Sequence, residues 1–327
     1  MNSDAARPVT GDASHFRVIL VFLACIIVPT VLTLMTVQNP GRLVFDPPDA
    51  NPTPYGYTVS LLLFLVPNLA LTWWLKRHPD AGQRMNAFWK TVLLVFVVGC
   101  VLDFLLCYEW FIFPNEGATL GIRLPAFSYS EGWRWIPDYL PIEEFGFYSL
   151  GAYFMMALYV YADASWFRLY MHDSTGSDQR IQHALQLDRI FKPDFRWLWV
   201  GLVAWAVGIA WKNIYGTGGI PGYYCFLVLI GVFPPLLLMR AVGPMVNWRA
   251  FSFMYLALLL ISLIWEATLG VPYGWWQYRH EPMLGIFIGA WGDLPVEAVL
   301  MWLVAAWAVT LMYEVFRILH LRKAHEH

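Results

Sequence analysis

The sequence predicts an all-α polytopic membrane protein of about eight transmembrane helices, arranged in two homologous halves of the same orientation. Hydrophobic residues make up 59% of the 327 residues and charged residues 13%, with a mean hydropathy of +0.51. Soluble domains contain roughly 25% charged residues, so this composition indicates a membrane protein. The apolar stretches are also long enough to cross a hydrocarbon core of about 30 Å.

Eight apolar stretches are predicted to be helices, because backbone groups cannot stay unpaired in lipid and the stretches are too long for tilted barrel strands. In chain order they are residues 17–37, 57–75, 89–109, 142–161, 197–211, 221–239, 250–269 and 295–315. The first is interpreted as a true span and not as a cleaved signal, since no small-x-small cleavage site follows it before Gln38-Asn39-Pro40.

The placement of Lys and Arg predicts the orientation. With the N-terminus inside, eight spans put most of the 21 Lys and Arg residues on the cytoplasmic side. We therefore expect an integral protein of the bacterial inner (cytoplasmic) membrane with both termini in the cytoplasm. The basic residues are spread over several short loops, so we expect no nucleic-acid partner.

An internal repeat organises the chain. Three pairs of segments match in the same order: Pro67–Arg77 with Pro234–Arg240, Val101–Asp103 with Ile264–Glu266, and Leu140–Glu144 with Leu294–Glu297. Spans two to four then correspond to spans six to eight, and because span five lies between them the halves share one orientation. We predict a first half over residues 1–165, a cytoplasmic linker over 166–196 and a second half over 197–327.

Acidic residues gather near the outer ends of spans three, four, seven and eight in this topology. They are Asp103, Glu143, Glu144, Glu266, Asp293 and Glu297. Pro at the first helical position and acids in the first turn also mark an ordinary helix N-terminus, and this interpretation stays open for Glu144 and Asp293. It explains Asp103 and Glu266 less well, because late in a span a negative charge opposes the helix dipole.

Removal from water and a second nearby carboxylate both favour a neutral carboxylic acid, which is a proton donor. Protonation of an alkene or epoxide gives a carbocation, and aromatic faces stabilise a cation by about 0.5 to 2 kcal/mol each. The chain is 17% aromatic. The aromatic residues predicted to bind an apolar substrate beside the acids are Trp110, Trp135, Trp265, Trp276 and Trp291. An interfacial aromatic belt is the alternative explanation for each.

Pro-Ile-Glu-Glu-Phe (141–145) and Pro-Val-Glu (295–297), with the preceding Asp103 and Glu266, resemble the membrane-integral lycopene cyclase family. Its members are heterodimeric or fused proteins of bacteria, archaea and fungi with a repeated Pro-x-Glu-Glu motif. The resemblance covers residues 57–161 and 221–315. It implies an isomerase of carotenoid biosynthesis that cyclises the ends of lycopene by proton-initiated, redox-neutral cation chemistry.

Carried over by position, the resemblance makes Glu143 and Glu144 candidates for the proton donor and its partner, and Glu297 their counterpart in the second half. Asp103 and Glu266 would tune or relay the proton. The chain departs from the family at Ala298, where a second Glu would stand, and at Gly146. These departures leave open whether the substrate is lycopene, another carotenoid or another terpenoid.

Other functions are weighed against absent motifs. No DxxxD pair lies beside a span and no HxxxH box occurs, which argues against a diphosphate-binding prenyltransferase and a diiron desaturase. We expect no cofactor and no metal. The expected partners are an isoprenoid or carotenoid substrate and membrane lipid, and the oligomeric state stays open. An isoprenoid hydratase, another terpenoid cyclase and a proton-coupled transporter remain the alternatives.

Overall fold

The computed structural model describes residues 12–37, 53–78, 81–166, 195–289 and 293–325, and this part of the protein is mostly helical. Its helices are α1 (Asp12–Met35), α2 (Gly56–Ser60), α3 (Leu62–Leu75), α4 (Ala81–Trp110), α5 (Ile142–Ala164), α6 (Leu198–Tyr215), α7 (Gly222–Gly231), α8 (Phe233–Val242), α9 (Trp248–Trp265) and α10 (Val296–His325). Short 3₁₀ turns cover Glu116–Ala118, Phe195–Trp197 and Gly243–Met245, and a π-helical turn covers Glu266–Gly270.

Seven helical segments are long and apolar enough to cross a membrane: Gly56–Leu75, Arg84–Trp110, Ile142–Ala164, Phe195–Tyr215, Gly222–Met245, Trp248–Gly270 and Val296–His320. They match seven of the eight predicted spans. The eighth prediction, residues 17–37, coincides with α1, whose apolar part among the described side chains is the shorter segment Leu23–Met35. The predicted linker over 166–196 lies almost wholly outside the described residues.

The prediction of an all-α fold missed three small antiparallel sheets. Their strands are β1 (Phe111–Ile112), β2 (Arg123–Ser128), β3 (Arg134–Pro141), β4 (Gln277–Tyr278), β5 (Phe287–Ile288) and β6 (Leu294–Pro295). The pairs are β1 with β4, β2 with β3, and β5 with β6. All lie in the two connections that follow α4 and the π turn, which we call the capping layer (residues 111–141, 271–289 and 293–295). The β1–β4 pair joins the two connections at one end of the bundle.

Helix α5 lies at the centre of the bundle and packs against α3, α4, α9 and α10. From Phe154 to Ala164 all of its residues are buried. Helix α4, by contrast, exposes large apolar side chains such as Leu93, Val97 and Val101. An exposed stripe of this kind suits contact with lipid, whereas the second half of α5 is buried on all sides, as expected of a core helix.

Two of the helices are interrupted. Helix α7 passes into α8 at Val232, next to Pro234 and Pro235, where proline removes backbone donors. Gly231 at this break packs so closely on α10 that an added Cβ would lie 2.5 Å from Val304. Helix α9 widens into the π turn that starts at Glu266, and a single π turn of this kind frequently marks a functional site.

The end of the bundle opposite the capping layer is closed by a buried ionic network. Asp163 at the end of α5 pairs with Arg84 of α4 and, at 3.7 Å, with Arg317 of α10. Arg317 also pairs with Glu314 at 3.3 Å. Asn247, the N-cap of α9, donates a hydrogen bond of 2.9 Å to the Asp163 carboxylate. The network therefore ties four helices together at this end.

Candidate functional site

A cavity of about 390 Å³ lies between α4, α5, α7 and α10. Each helix contributes side chains three or four residues apart, the spacing of one helix face. They include Leu94, Val98, Leu102 and Asp103 of α4, Phe147, Gly151 and Met155 of α5, Tyr223, Phe226 and Ile230 of α7, and Met301, Trp302, Ala305 and Met312 of α10. We call this cavity the slot. Its walls are mostly aliphatic and aromatic.

Asp103 is the one carboxyl group that lines the slot. It lies on α4, two turns before the capping layer, and is buried. An ionised carboxylate at this position would not be hydrated. The phenol of Tyr148 lies beside the carboxyl group, but the Asp103 Oδ2 atom makes no hydrogen bond with any described residue. A buried polar atom without a partner is uncommon and calls for an explanation, such as a ligand or a catalytic role.

A second, much smaller cavity of about 20 Å³ brings acids of both predicted halves together. Glu144 and Glu266 line it, with Tyr57, Trp276 and Tyr278 around them. We call it the acid niche. It shares five lining residues with the slot, so the two spaces adjoin: Phe111, Phe147, Tyr148, Tyr223 and Met301. Its size is enough for about one water molecule.

Hydrogen bonds from aromatic side chains fix the two niche acids. Glu144 lies in the first turn of α5 and its Oε1 accepts a hydrogen bond from the Tyr57 hydroxyl. Glu266 opens the π turn, where its Oε1 accepts from Trp302 Nε1 at 2.9 Å and its Oε2 from the Tyr278 hydroxyl at 3.1 Å. Both Glu266 oxygens therefore face a donor, an arrangement that supports a negative charge.

The three acids interact with one another and not with a cation. Glu144 lies close enough to Glu266 and to Asp103 for their charges to repel. The ion pairs of the described residues involve none of the three. Burying a charged carboxylate without a cation costs several kcal/mol.

Glu143 and Glu297 lie outside both cavities and have a different environment. The Glu143 Oε1 accepts hydrogen bonds of 2.6 Å from the backbone N–H of Leu120 and from the Thr58 hydroxyl. The Glu297 Oε1 accepts a hydrogen bond from the backbone N–H of Leu284, and the charge of Lys212 attracts this carboxylate. Both glutamates thus tie the start of a helix to the capping layer in similar ways.

The predicted tryptophans fall into different places. Trp110 lines the slot and packs against Phe226, with ring centroids 4.6 Å apart, and Trp276 lines the acid niche. Trp265 is buried behind the niche against Trp276, at 4.7 Å between centroids. Trp135 is 53% exposed on β3 and borders neither cavity. Trp291 lies outside the described residues.

Several contacts of the acids were not predicted from the sequence. They come from Tyr57, Tyr148 and Trp302. One signal was available for two of the cavity-lining tyrosines: a Gly-Tyr dipeptide opens both α2 and α7, at Gly56-Tyr57 and Gly222-Tyr223.

Two phenols of the capping layer are held neutral. Burial first, and the nearby Glu266 carboxylate second, raise the pKa of Tyr278 well above its usual value, so Tyr278 remains a hydrogen-bond donor to Glu266. Burial also raises the pKa of Tyr139 to about 12, although the neighbouring Arg279 opposes this shift. The Tyr139 hydroxyl donates to the carbonyl of Phe111 and so links β3 to β1.

The described residues hold no group of three or more His, Cys, Asp or Glu side chains arranged to bind a metal ion. Comparison with known proteins found no matching family model, no matching curated protein and no matching solved structure. The fold and the site define a helical protein with membrane-spanning character, in which buried acids meet at one end of an apolar slot.

Proposed function

We propose that the protein is an integral-membrane enzyme that cyclises the acyclic end of a lycopene-like polyene by protonating it. One observation carries this proposal: three buried carboxyl groups, unpaired with any described cation, converge on an aromatic-walled apolar cavity. The resemblance of the Pro-x-Glu-Glu segments to membrane-integral lycopene cyclases supports the same reaction class.

Asp103 is the proton donor in this proposal. Asp103 lines the slot, and its Oδ2 atom is engaged in no hydrogen bond within the described part of the chain, so its proton is available to an alkene bound in the slot. Glu144 and Glu266 then return a proton through the adjoining niche. The sequence resemblance implied a different assignment, with Glu143 and Glu144 as the donor pair, but Glu143 is held by Leu120 and Thr58 away from both cavities.

The reaction is an isomerisation and needs no redox partner. The donor proton adds to the terminal double bond and leaves a carbocation. The electron pair of a neighbouring double bond closes the ring and moves the positive charge to another carbon. A carbon next to it then gives its proton to an ionised carboxylate of the acid niche, which restores an alkene. The niche releases this proton to solvent, and a solvent proton recharges the Asp103 carboxylate. The rings of Trp110, Phe111, Phe147 and Tyr223 face this space, and each adds about 0.5 to 2 kcal/mol of cation stabilisation.

The two-half architecture is part of the proposal. It is supported by the equivalent contacts of Glu143 and Glu297, and by the late-helix positions of Asp103 and Glu266. The site itself is asymmetric, because the position of Glu144 in the first half is taken by the buried Ala298 in the second. One half therefore supplies Asp103 and Glu144, and the other supplies Glu266. The capping layer lies on the outer face, with both termini in the cytoplasm.

A hydratase is the second candidate, because the acid niche has room for about one water molecule beside the slot. Water delivered to the carbocation would give an alcohol in place of a ring. The two reactions differ in the product mass: a cyclised product has the mass of its substrate, and a hydrated one gains a water.

Expression in a lycopene-accumulating bacterial host, followed by pigment chromatography and mass spectrometry, tests the proposal. We expect a new pigment of unchanged mass. Asp103→Asn, Glu144→Gln and Glu266→Gln should each slow its formation by about 10²- to 10⁴-fold, the usual contribution of a general acid or base.

Glu143→Gln and Glu297→Gln are the matched controls. A glutamine oxygen still accepts from Leu120 or Leu284, so these variants should keep most of the conversion. An unchanged pigment with the wild-type protein contradicts the proposed substrate. Full conversion by the Asp103, Glu144 and Glu266 variants contradicts the proposed chemistry.

A further inference from the structure

We propose that the slot is a portal that opens sideways into the bilayer between α4 and α7, and that it takes an acyclic isoprenoid chain end-on from the lipid phase. This inference rests on the proposed function and specifies how the substrate reaches the acids. The geometry of the slot, the distribution of its polar groups and the exposure of its rim carry it.

The rim of the slot faces outward. Helices α4 and α7 each pack against α10, and the slot lies between them. Leu94, Val98 and Ile230 line the slot and are also exposed, at 37%, 46% and 38%. A side chain that belongs both to a cavity wall and to the outer surface marks an opening. Because these three lie within candidate membrane spans, this opening faces hydrocarbon and not water.

The slot is elongated along the helices. Its wall on α4 runs from Leu94 to Trp110, which at 1.5 Å per residue is about 24 Å. A volume of about 390 Å³ spread over such a length describes a narrow channel suited to a single extended chain. Most of a long polyene can remain in the bilayer while its end occupies the channel.

Polarity is confined to the half of the slot nearer the capping layer. The part around Leu94, Ala308 and Met312, farther from the capping layer, is entirely apolar. Asp103 lies about 14 Å along the α4 wall from Leu94, and the acid niche adjoins the half of the slot that contains it. A chain that enters at the apolar rim with one end toward the capping layer therefore places that end beside Asp103. A polar substrate would have no hydrogen-bonding partner along the apolar part of the wall.

Labelling with dicyclohexylcarbodiimide tests the portal without requiring catalysis. This lipid-soluble reagent adds to neutral carboxyl groups without loss of atoms, and the adduct is located by mass spectrometry of peptides. The protein is reconstituted in phosphatidylcholine vesicles. We expect an adduct on Asp103 that is absent from Asp103→Asn, whereas a water-soluble carbodiimide should modify the exposed Glu116 and leave Asp103 unmodified.

Bulky substitutions at the rim test the path. The double variant Val98→Trp/Ile230→Trp should lose the Asp103 adduct. The matched control Val97→Trp/Leu229→Trp changes neighbours that are similarly exposed, at 49% each, but do not line the slot, so labelling should persist. Size-exclusion chromatography in detergent checks that both variants are folded.

Lycopene in the vesicles tests the occupant. We expect it to protect Asp103 from the reagent, whereas phosphatidylcholine alone should not. Absence of the wild-type adduct, or its persistence in Val98→Trp/Ile230→Trp, overturns the portal, and absence of protection overturns the occupant. If the portal results hold while the lycopene-accumulating host shows no new pigment, the proposed function fails and the portal stands.

Discussion

Two replacements of Glu266 separate its contribution to stability from its proposed contribution to proton transfer. In Glu266→Leu the Trp302 N–H and the Tyr278 O–H both lose their acceptor while staying buried. A buried donor left without a partner costs about 1 to 3 kcal/mol. The two together predict a loss of about 2 to 6 kcal/mol in the free energy of unfolding.

Glu266→Gln should behave differently. The amide oxygen still accepts from Trp302, and the amide N–H₂ can donate to Tyr278 once that hydroxyl turns. Only the Tyr278 O–H then lacks its acceptor, so the loss in the free energy of unfolding should be about 1 to 3 kcal/mol, half that of Glu266→Leu. The proposed proton-carrying function of Glu266 is nevertheless removed. We therefore expect a variant that is more stable than Glu266→Leu and in which formation of the new pigment slows by about 10²- to 10⁴-fold.

The assay is titration of the purified protein with a denaturing detergent, followed by circular dichroism. Glu266→Leu/Tyr278→Phe provides the internal check, because it removes one stranded donor and should regain about 1 to 3 kcal/mol over Glu266→Leu. If Glu266→Leu is as stable as the wild type, or if the added Tyr278→Phe recovers nothing, the hydrogen bonds do not hold Glu266 as described.

Three further predictions concern the slot, the ionic network and the capping layer. Gly99→Leu should fold, because an added Cβ meets nothing nearer than the Tyr148 Cβ at 3.8 Å. Its side chain fills the slot, so pigment conversion should fall while the free energy of unfolding is unchanged. Full conversion by this variant would contradict the role of the slot. Asp163→Asn should lower the free energy of unfolding by about 3 to 5 kcal/mol, because Arg84 then lies buried without its carboxylate partner. A loss under about 1 kcal/mol would show that the ionic network contributes little. The neutral Tyr139 phenol stabilises the folded state fully below pH 10.0, and this contribution is lost as the pH rises through about 12. Tyr139→Phe should remove this part of the pH dependence of the free energy of unfolding. An identical pH profile in the variant would contradict the prediction.

The helices could be predicted because length and hydropathy decide them in a membrane. Seven of the eight predicted spans correspond to helical segments of sufficient length, and several bounds differ by only a few residues. The β2–β3 hairpin could not be predicted from the sequence. Its strands contain Pro125 and Pro137, which sequence rules take as evidence against a strand, and the pairing is irregular, with a register shift between Leu124 and Ala126.

The candidate site could be predicted only in part. Acids within apolar runs are conspicuous, since each must be compensated, and this pointed to Asp103 and Glu266. The choice between Glu143 and Glu144 could not be made, because consecutive residues of a helix point about 100° apart and the pattern does not say which one lines the cavity. The aromatic donors were equally hard to select in a chain that is 17% aromatic.

The asymmetry of the site also depended on tertiary structure. A strict repeat leads one to expect paired glutamates, Glu144 with a partner at position 298, but Ala298 is buried there. The structure instead brings Glu144 to Glu266, an acid from a different position of the predicted repeat. The bonds to Tyr57 and Tyr278 that hold this pair cross between separate segments of the chain, which no local pattern encodes.

The most direct test of the central claim is incorporation of solvent hydrogen into the product. Membranes that contain the protein are incubated with lycopene in heavy water, and the product is analysed by mass spectrometry. Protonation by Asp103, recharged from solvent through Glu144 and Glu266, predicts one deuterium per ring formed and a rate that collapses in Asp103→Asn. A cyclised product without deuterium, or one formed equally well by Asp103→Asn, would contradict the account.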